Sequence, residues 1–522
     1  MNTNLISKRS ALYICPGWEL WSSVINELEA KYLITPSAVI SHDSDLMKKN
    51  ITNKDCLLVD ERKFREGKAC EENNYSLDEK ILKLIAPYKN ITIKMMERYY
   101  YGEFINSSAN QLILYHMLVK YSYSMFMKFD PDMVISASPP HRVYDYLIKQ
   151  FCIVHNKKFL CFEHTNIPFL SYFKSSLEPD FPYSRGQKGL LPISNELNDF
   201  LDNTKSSCYE DVKPIYLGQK SFFKDKKRNK NKKNYIYSLI KKISMFRVRL
   251  LIKPVVGRFI VNYDGYSLHA NYSQMIGMIF QKIMRVLSLN IVCMPYYNFF
   301  SKKNICNKVS YIYFSPNYQP ERSTVPDGNI FWDFNLAIDL LHSSLPDGWK
   351  ILYKEHPRAF KKNTDWDIDR NIFFYLRLRF KYPNLIFVNK GEDVLTLIDS
   401  SKAVAAVNGT SLWESVIRGK PTILFGEQWL KNMPGVTHIN SPSQCYEILN
   451  MINQGNFKNS DKENLRDYFS LLESSCNDLS SYLDYAREAR ASSDVNNRLK
   501  DNNQFNTDEI KTKLVKSIIA AC

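Results

Sequence analysis

The chain has no long hydrophobic run. Among its 522 residues, no stretch of about 18, the length that a membrane-spanning helix needs, is free of charged and strongly polar side chains. Residues 1–20 also lack the apolar core and the small-residue cleavage motif of a secretory signal. We therefore expect neither a transmembrane helix nor a signal for export.

Metal and cofactor motifs are missing as well. The eleven cysteines are scattered without a CxxC pair, and the nine histidines form no HExxH or HxH pattern. GxGxxG, P-loop and GxSxG motifs are absent too, which argues against the usual dinucleotide, nucleoside triphosphate and serine-hydrolase sites. Scattered, reduced cysteines are typical of a cytoplasmic protein. We predict no metal site and no cofactor.

Positive charge is in excess, and it is concentrated in one segment. Residues 220–260 contain fourteen lysines and arginines and one acid, Asp225, which gives a local charge of +13 within a net charge of +16. In a uniformly basic nucleic-acid binder the positive charge would not be confined to one segment. We therefore predict no nucleic-acid partner. The segment is interpreted either as a basic surface helix or interdomain connection, or as an interfacial helix on an anionic membrane surface.

Strand and helix patterns alternate along most of the chain. Apolar runs at 133–137, 158–162 and 309–314 predict strands, and amphipathic helical stretches separate such runs. This alternation predicts an α/β fold with parallel sheets, in which ligands bind at the carboxyl ends of the strands. We predict two α/β domains, a basic segment between them and a helical tail, with boundaries at 1–215, 216–300, 301–460 and 461–522.

The segment AVAAVNGTSLWESVIRGKPTILFG, residues 403–426, has the pattern of a strand, a turn, a helix and a second strand. Gly409 permits a ligand to approach the backbone closely, and a helix that begins at about Ser411 offers its first N–H groups to an anion. Two roles stay open for Glu414. The Ser411-x-x-Glu414 spacing fits a capping box, and the carboxylate also suits the hydroxyl groups of a ligand.

A second cluster, YKEHPRAF at 353–360, follows another predicted strand. Lys354, His356 and Arg358 alternate, so they can share one face of an extended segment. Two fixed cations and a histidine at a strand end suit an anion. A strand end with solvated charges has the same pattern, and this alternative stays open.

Further polar loops follow other predicted strands. In NYQPERSTVPDG, residues 317–328, Glu321 beside Arg322 is either an ordinary ion pair or part of a site. The loops 136–142 and 163–168 of the first domain lie at predicted carboxyl ends of strands. We expect these two loops to face a ligand-binding cleft.

Three segments resemble a known family. YFSPNYQPERSTVPDGNIFWD, LPDGWKILYKEHPR and VNGTSLWESVIRGKPTILFG are similar, in order and spacing, to the bacterial capsule and surface polysaccharide biosynthesis proteins. The resemblance covers about 305–440, is architectural over 1–215, and is absent over 216–300 and in the tail. Family members often have a histidine where this chain has Asn317 before Tyr318.

The resemblance implies a fold and a chemistry. The family consists of glycosyltransferases of the GT-B type, with two Rossmann-like domains facing a cleft, and it includes Kdo transferases that use a CMP-activated sugar. For this chain it implies a nucleotide-sugar donor and catalysis without a metal. The implied donor-binding residues are Gln319, Lys354, Arg358, Asn408, Gly409, Thr410, Ser411 and Glu414. The implied catalytic candidates are Glu163, His356 and Glu321, and the acceptor-side candidates are His141 and His164.

The sequence thus favours a cytoplasmic glycosyltransferase, peripheral on the inner face of the cell membrane. It would transfer a sugar, best a CMP-activated ulosonic acid such as Kdo, to a growing lipid-linked glycan of the capsule or O-antigen type. One alternative is a nucleotide-sugar epimerase or hydrolase of the same double-Rossmann architecture. Another is a non-catalytic, sugar-binding component of polysaccharide assembly.

Overall fold

A computed structural model describes most of the chain outside its basic segment. The segment 220–260 and Arg358 lie outside the described residues, so the membrane-surface interpretation of 220–260 stays a prediction. The described residues are 8–61, 77–97, 108–167, 169–177, 192–206, 261–263, 266–268, 288–306, 308–319, 321–356, 359, 370–491 and 505–522.

The first sheet lies in the N-terminal part of the chain. Its strands are β1 (Arg9–Ile14), β2 (Ile34–Ser41), β3 (Leu57–Asp60), β4 (Met133–Ser136), β5 (Lys158–His164) and β6 (Ser171–Ser175). They follow the order β3-β2-β1-β4-β5-β6. The pairs from β3 to β5 are parallel, and β6 pairs antiparallel with β5. The helices of this part are α1 (Glu19–Tyr32), α2 (Ser44–Asn50), α3 (Glu79–Ile85), α4 (Lys89–Met96), α5 (Ser108–Phe129), α6 (Val143–Val154) and α7 (Asn195–Ser206).

Helices cover both faces of this sheet. Along β1, Leu12 and Ile14 belong to one hydrophobic core, whereas Ala11 and Tyr13 belong to the core on the opposite face. Strands buried on both faces read as continuous apolar runs. This burial explains why the run at 133–137 predicted β4 correctly.

The second sheet repeats the arrangement. Its strands are β9 (Tyr311–Phe314), β10 (Lys350–Tyr353), β11 (Leu385–Phe387), β12 (Ala403–Ala406), β13 (Thr422–Leu424) and β14 (Val436–His438), after a short hairpin of β7 (Val261–Tyr263) and β8 (Tyr266–Leu268). The order is β11-β10-β9-β12-β13-β14, and every pair is parallel. The helices are α8 (Met294–Phe300), α9 (Phe334–Ser343), α10 (Ile372–Lys381), α11 (Val394–Asp399), α12 (Thr410–Ile417) and α13 (Pro442–Asn453), with a π-helix at Ser288–Cys293 before α8.

The C-terminal helices pack across both halves of the molecule. They are α14 (Lys462–Ser475), α15 (Ser480–Ala491) and α16 (Thr507–Ala521). Phe469 and Leu472 of α14 pack with Trp413 of the second half. Tyr482 of α15 and Leu514 of α16 instead belong to a core of the first sheet. The chain therefore returns from the second half to the first through its last helices.

The two halves share a hydrophobic core. Ile167 and Leu170, from the loop after β5, pack with Leu412 and Trp413 of α12. Beside this core, Trp429 Nε1 donates a hydrogen bond to Asn166 Oδ1 at 2.9 Å. Loops at the carboxyl ends of the two sheets are therefore in direct contact.

Both sheets reverse their direction of winding at one point, between β1 and β4 and between β9 and β12. This is the strand order of the doubly wound Rossmann fold, in which ligands bind at the reversal. The predicted α/β fold of the GT-B type, with two Rossmann-like domains, is confirmed. The numbered domain boundaries stay predictions. None of the described helices is both long enough and apolar enough to cross a membrane.

The packing of α16 on the first sheet predicts a large effect of truncating one of its buried side chains. We expect Leu514→Ala to destabilise the protein by about 2–5 kcal/mol, because it leaves a cavity in a fully buried site. Lys516→Ala on the exposed side of the same helix is the matched control. Thermal unfolding of both variants checks this, and an equal melting temperature for Leu514→Ala and wild type would contradict the docking of α16.

Candidate functional site

The loops after β9 and β12 meet where the second sheet reverses, and side-chain hydrogen bonds join them. Asn317 Oδ1 accepts a hydrogen bond from the Asn408 backbone N–H at 3.2 Å. Asn408 Nδ2 in turn donates to the Ser323 carbonyl oxygen at 2.6 Å. After β13, a Cβ on Gly426 would lie 2.7 Å from the Val407 carbonyl oxygen, so the backbones touch here. These contacts fix the chain just before α12 begins.

Helix α12 begins without a side-chain cap. Its N-cap is Gly409, whose φ of 125° lies in the region that favours glycine. The first N–H groups of an uncapped helix carry partial positive charge and suit an anion. Because the helix begins at Thr410, Ser411 is its second residue and Glu414 its fifth. The capping-box interpretation of Ser411 and Glu414 is therefore wrong.

Lys354 and Glu414 bring an amino group and a carboxyl group into the buried part of this site. Lys354 follows β10 and is 7% exposed, and Glu414 on α12 is 6% exposed. Within the part of the chain that the structure describes, neither side chain makes a hydrogen bond or an ion pair. Burial raises the pKa of Glu414 to about 8, and Arg418 and, more weakly, Lys354 offset part of that shift. Burial lowers the pKa of Lys354, and Asp393 and, more weakly, Glu414 offset part of that shift. Buried charged groups are usually paired, so both groups are suited to a ligand.

Glu355, between Lys354 and His356, points into the core instead. Its Oε2 accepts hydrogen bonds from the hydroxyl groups of Tyr353 at 3.0 Å and Tyr375 at 2.9 Å. Its Oε1 forms a buried ion pair with Arg370. Arg370 also donates to the carbonyl oxygen of Asn317. The end of β10 and the loop after β9 are thus held by one guanidinium group.

His356 follows Glu355 and is partly exposed. Its ring centroid is 5.6 Å from that of Tyr318, and its backbone N–H donates to Glu355 Oε1 at 2.9 Å. Alternation along the extended segment places His356 on the same side as Lys354, opposite to Glu355. The predicted sharing of this face with Arg358 stays a prediction.

The loop after β9 is folded back on itself. Gln319 Nε2 donates to the Trp332 carbonyl oxygen at 2.8 Å, and the carbonyl oxygen of Glu321 accepts from the N–H groups of Thr324 and Val325 at 3.0 Å. One amide hydrogen of Gln319 is therefore used in shaping the loop. The predicted ligand roles of Gln319 and Glu321 stay predictions.

Arg322 joins this loop to the first domain. Its guanidinium nitrogen lies 3.1 Å from Asp327 Oδ2 and 3.4 Å from Glu163 Oε1. Burial raises the pKa of Asp327, and Arg322 offsets part of the shift. Glu163, the candidate catalytic carboxylate on β5, therefore faces the second domain directly.

The two histidines proposed for the acceptor side lie at the carboxyl ends of neighbouring strands β4 and β5. His141 donates its backbone N–H to Asp145 Oδ2 at 3.1 Å, and its Nδ1 is 3.2 Å from the Pro139 carbonyl oxygen. Burial raises the pKa of Asp145 to about 7, partly offset by backbone N–H groups. His164 is the last residue of β5. In the described ranges no group of three or more His, Cys, Asp or Glu side chains could hold a metal ion.

The structure adds residues that the sequence predictions omitted. Asn317 and Asp327 lie within the motif at 317–328, and their position after β9 was a usable signal. Arg370 belongs to no motif, and its partner Glu355 is fifteen residues away along the chain. A side chain that acts through such a contact has no local pattern to reveal it.

The raised pKa of Glu414 predicts a pH-dependent effect of Glu414→Gln. Between about pH 4.5 and 8 the folded protein keeps a proton on Glu414 that the unfolded chain has lost, so this residue lowers stability as the pH rises through that window. We expect the stability of Glu414→Gln relative to wild type to be higher at pH 9 than at pH 5, by on the order of 3 kcal/mol. Melting temperatures of both proteins across this range measure the difference. A difference that does not change with pH would show that Glu414 is ionised throughout.

No protein-family model and no curated protein sequence matches the chain. Among solved structures, it is similar to the UDP-GlcNAc 2-epimerase from Methanocaldococcus jannaschii, at 10% identity and a TM-score of 0.24, over 89% of this chain and 99% of that chain. It is similar to the calicheamicin glycosyltransferase CalG4 at 8% identity and a TM-score of 0.22, over 89% and 93%. It is also similar to Thermosulfurimonas dismutans KpsC, a beta Kdo 2,4 transferase, at 11% identity and a TM-score of 0.25, over 65% and 86%. At these values the similarities carry no argument about this chain, and the fold assignment rests on the sheet topology.

Proposed function

We propose that the chain is a GT-B type glycosyltransferase that takes a sugar from a nucleotide sugar. The best candidate donor is a CMP-activated ulosonic acid such as Kdo, and the acceptor is a growing lipid-linked glycan of the capsule or O-antigen type. The second domain binds the donor and the first domain binds the acceptor. The protein works in the cytoplasm on the inner face of the cell membrane, which the basic segment 220–260 contacts.

One observation carries the proposal: an uncapped helix start lies beside a buried ammonium and a buried carboxyl group that have no partner in the described residues. A phosphate fits the N–H groups of Thr410 and Ser411 together with Lys354. Ribose hydroxyl groups can form hydrogen bonds with the carboxyl group of Glu414. An anion beside a pair of hydroxyl groups is the chemistry of a nucleotide, and the site lies where Rossmann-like domains bind nucleotides.

The choice of CMP-activated ulosonic acid is supported by the number of cationic groups. Such a donor carries one phosphodiester and, beside the anomeric carbon, one carboxylate. Lys354, His356 and the start of α12 offer positive or donating groups to these two anions. Arg358 is assigned to the same donor.

The transfer step requires a carboxylate and acceptor-binding groups from the first domain. The acceptor hydroxyl oxygen forms a bond to the anomeric carbon, the bond from that carbon to the phosphate oxygen breaks, and CMP leaves with the electron pair. Glu163 takes the hydroxyl proton or stabilises the positive charge that develops on the sugar ring. Arg322 positions Glu163 at the domain boundary, and Glu321 is a further candidate for this chemistry. His141 and His164 contact the acceptor.

Nucleotide release tests the proposal. With CMP-, UDP- and GDP-sugars we expect release of CMP, and only when a glycan acceptor is present. We expect Lys354→Met to raise the donor KM by roughly ten- to hundredfold, because a charge-assisted hydrogen bond is worth about 1.5–3 kcal/mol. Preferred release of UDP or GDP would mean that the donor is a UDP- or GDP-sugar instead. Free or isomerised sugar in the absence of an acceptor would indicate a hydrolase or epimerase. No nucleotide release from any donor would contradict the proposal that the protein is an enzyme.

His356 gives a second test. We expect His356→Ala to lower turnover or donor affinity by roughly ten- to hundredfold at an unchanged melting temperature, since a charge-assisted hydrogen bond of similar strength is lost. A larger loss of turnover would indicate proton transfer or stabilisation of the leaving group. His116→Ala, on the exposed side of α5, is the matched control. Transfer at the wild-type rate by His356→Ala would mean that His356 takes no part in donor binding or turnover.

A further inference from the structure

Helices α8 and α10 expose large aromatic side chains on the outer surface of the second domain. Phe299 of α8 is 82% exposed, and Phe373 and Phe380 of α10 are 74% and 77% exposed. On α10, Phe373, Arg377 and Phe380 are spaced by four and three residues, so they lie along one side of the helix. We call Phe299, Phe373, Arg377 and Phe380 the aromatic–basic face.

The two helices lie against each other. The guanidinium of Arg379 on α10 sits 3.9 Å from the centre of the Phe300 ring on α8, and the rings of Phe299 and Phe300 meet edge to face at 4.9 Å. Ile291, in the π-helix before α8, is also exposed. The exposed aromatic residues therefore belong to one region of the surface.

These exposed rings are additional to an apolar side that is already buried. Tyr297 of α8 and Phe374, Tyr375 and Leu378 of α10 pack into the core of the second sheet. Both helices are therefore held by their inner sides, and their outer aromatic residues contribute nothing to that core. Exposed aromatic clusters of this kind mark interaction surfaces.

The two stretches of chain that form the face carry only positive charge, and the acids Asp339 and Glu392 lie at its border. The stretches 288–304 and 370–384 contain no aspartate or glutamate. The exposed cations in these stretches are Lys302, Lys303, Arg377, Arg379 and Lys381. Lys381 pairs with Asp339 at 2.7 Å, and this acid lies on α9. Phenylalanines among lysines and arginines fit a surface that offers both apolar chains and negative charge.

We propose that the aromatic–basic face docks on an anionic lipid bilayer, with the phenylalanine rings inserted among the acyl chains and the cations at the lipid head groups. A second copy of the chain fits less well, because a two-fold contact would bring two positively charged patches together. The proposal concerns residues other than the segment 220–260. It depends neither on the donor sugar nor on the transfer reaction.

Co-sedimentation of the full chain with vesicles tests the proposal. We expect binding to phosphatidylglycerol-containing vesicles, weak binding to pure phosphatidylcholine, and a decline as salt rises. The triple variant Phe299→Ser, Phe373→Ser, Phe380→Ser should lower the partition coefficient about tenfold with an unchanged melting temperature. The control carries three serines at exposed apolar positions of the first domain, Leu57, Leu84 and Ile113, and should change it less than about twofold.

A second measurement locates the contact even if the basic segment 220–260 supplies most of the affinity. Phe380→Trp should add fluorescence that brominated acyl chains quench in phosphatidylglycerol vesicles, whereas Ile113→Trp should add unquenched fluorescence. Equal quenching of the two, or an aromatic triple variant that partitions like wild type, overturns the proposal. So does equal binding of wild type to neutral and anionic vesicles. Light scattering that shows a wild-type dimer, and a monomer for the triple variant, would assign the face to self-association instead.

Discussion

The buried ion pair of Glu355 and Arg370 is the contact on which the geometry of the candidate site depends. Burying two charges is costly unless both are satisfied by good geometry and further hydrogen bonds. Two tyrosine hydroxyl groups donate hydrogen bonds to the Glu355 carboxylate. Arg370 also donates a hydrogen bond to the carbonyl oxygen of Asn317. Asn317 then accepts the N–H of Asn408. One chain of polar contacts therefore runs across the ends of three neighbouring strands and sets the start of α12.

The same ion pair separates two kinds of charge at the end of β10. Because successive side chains of an extended segment point to opposite sides, turning Glu355 into the core leaves Lys354 and His356 on the side of the ligand site. Glu355 is satisfied, so it serves the fold. Lys354 is nearly as buried and makes no hydrogen bond to a described residue, and the same is true of Glu414. The contrast between a satisfied and an unsatisfied charge is the physical basis for assigning this corner to a ligand.

The two Rossmann-like domains are connected by more than the chain between them. The core shared by the loop after β5 and α12 is extended by α14, while α15 and α16 pack on the first domain. Beside this core, Arg322 contacts both Glu163 of the first domain and Asp327 of the second. A donor bound at α12 and an acceptor bound near β5 would therefore contact elements that already touch each other. This proximity is what a direct transfer between two bound substrates requires.

The sequence determined the alternation of strands and helices, because strands buried on both faces must be continuously apolar. It also located the polar clusters after β9, β10 and β12, since charged side chains are rarely buried unless they are paired. Tertiary structure decided what each polar residue does. The Ser411-x-x-Glu414 spacing fits a capping box, yet the N-cap is Gly409 and Glu414 stays in the site. Arg370 and the docking of α16 depend on partners far away along the chain, and no local pattern encodes such contacts.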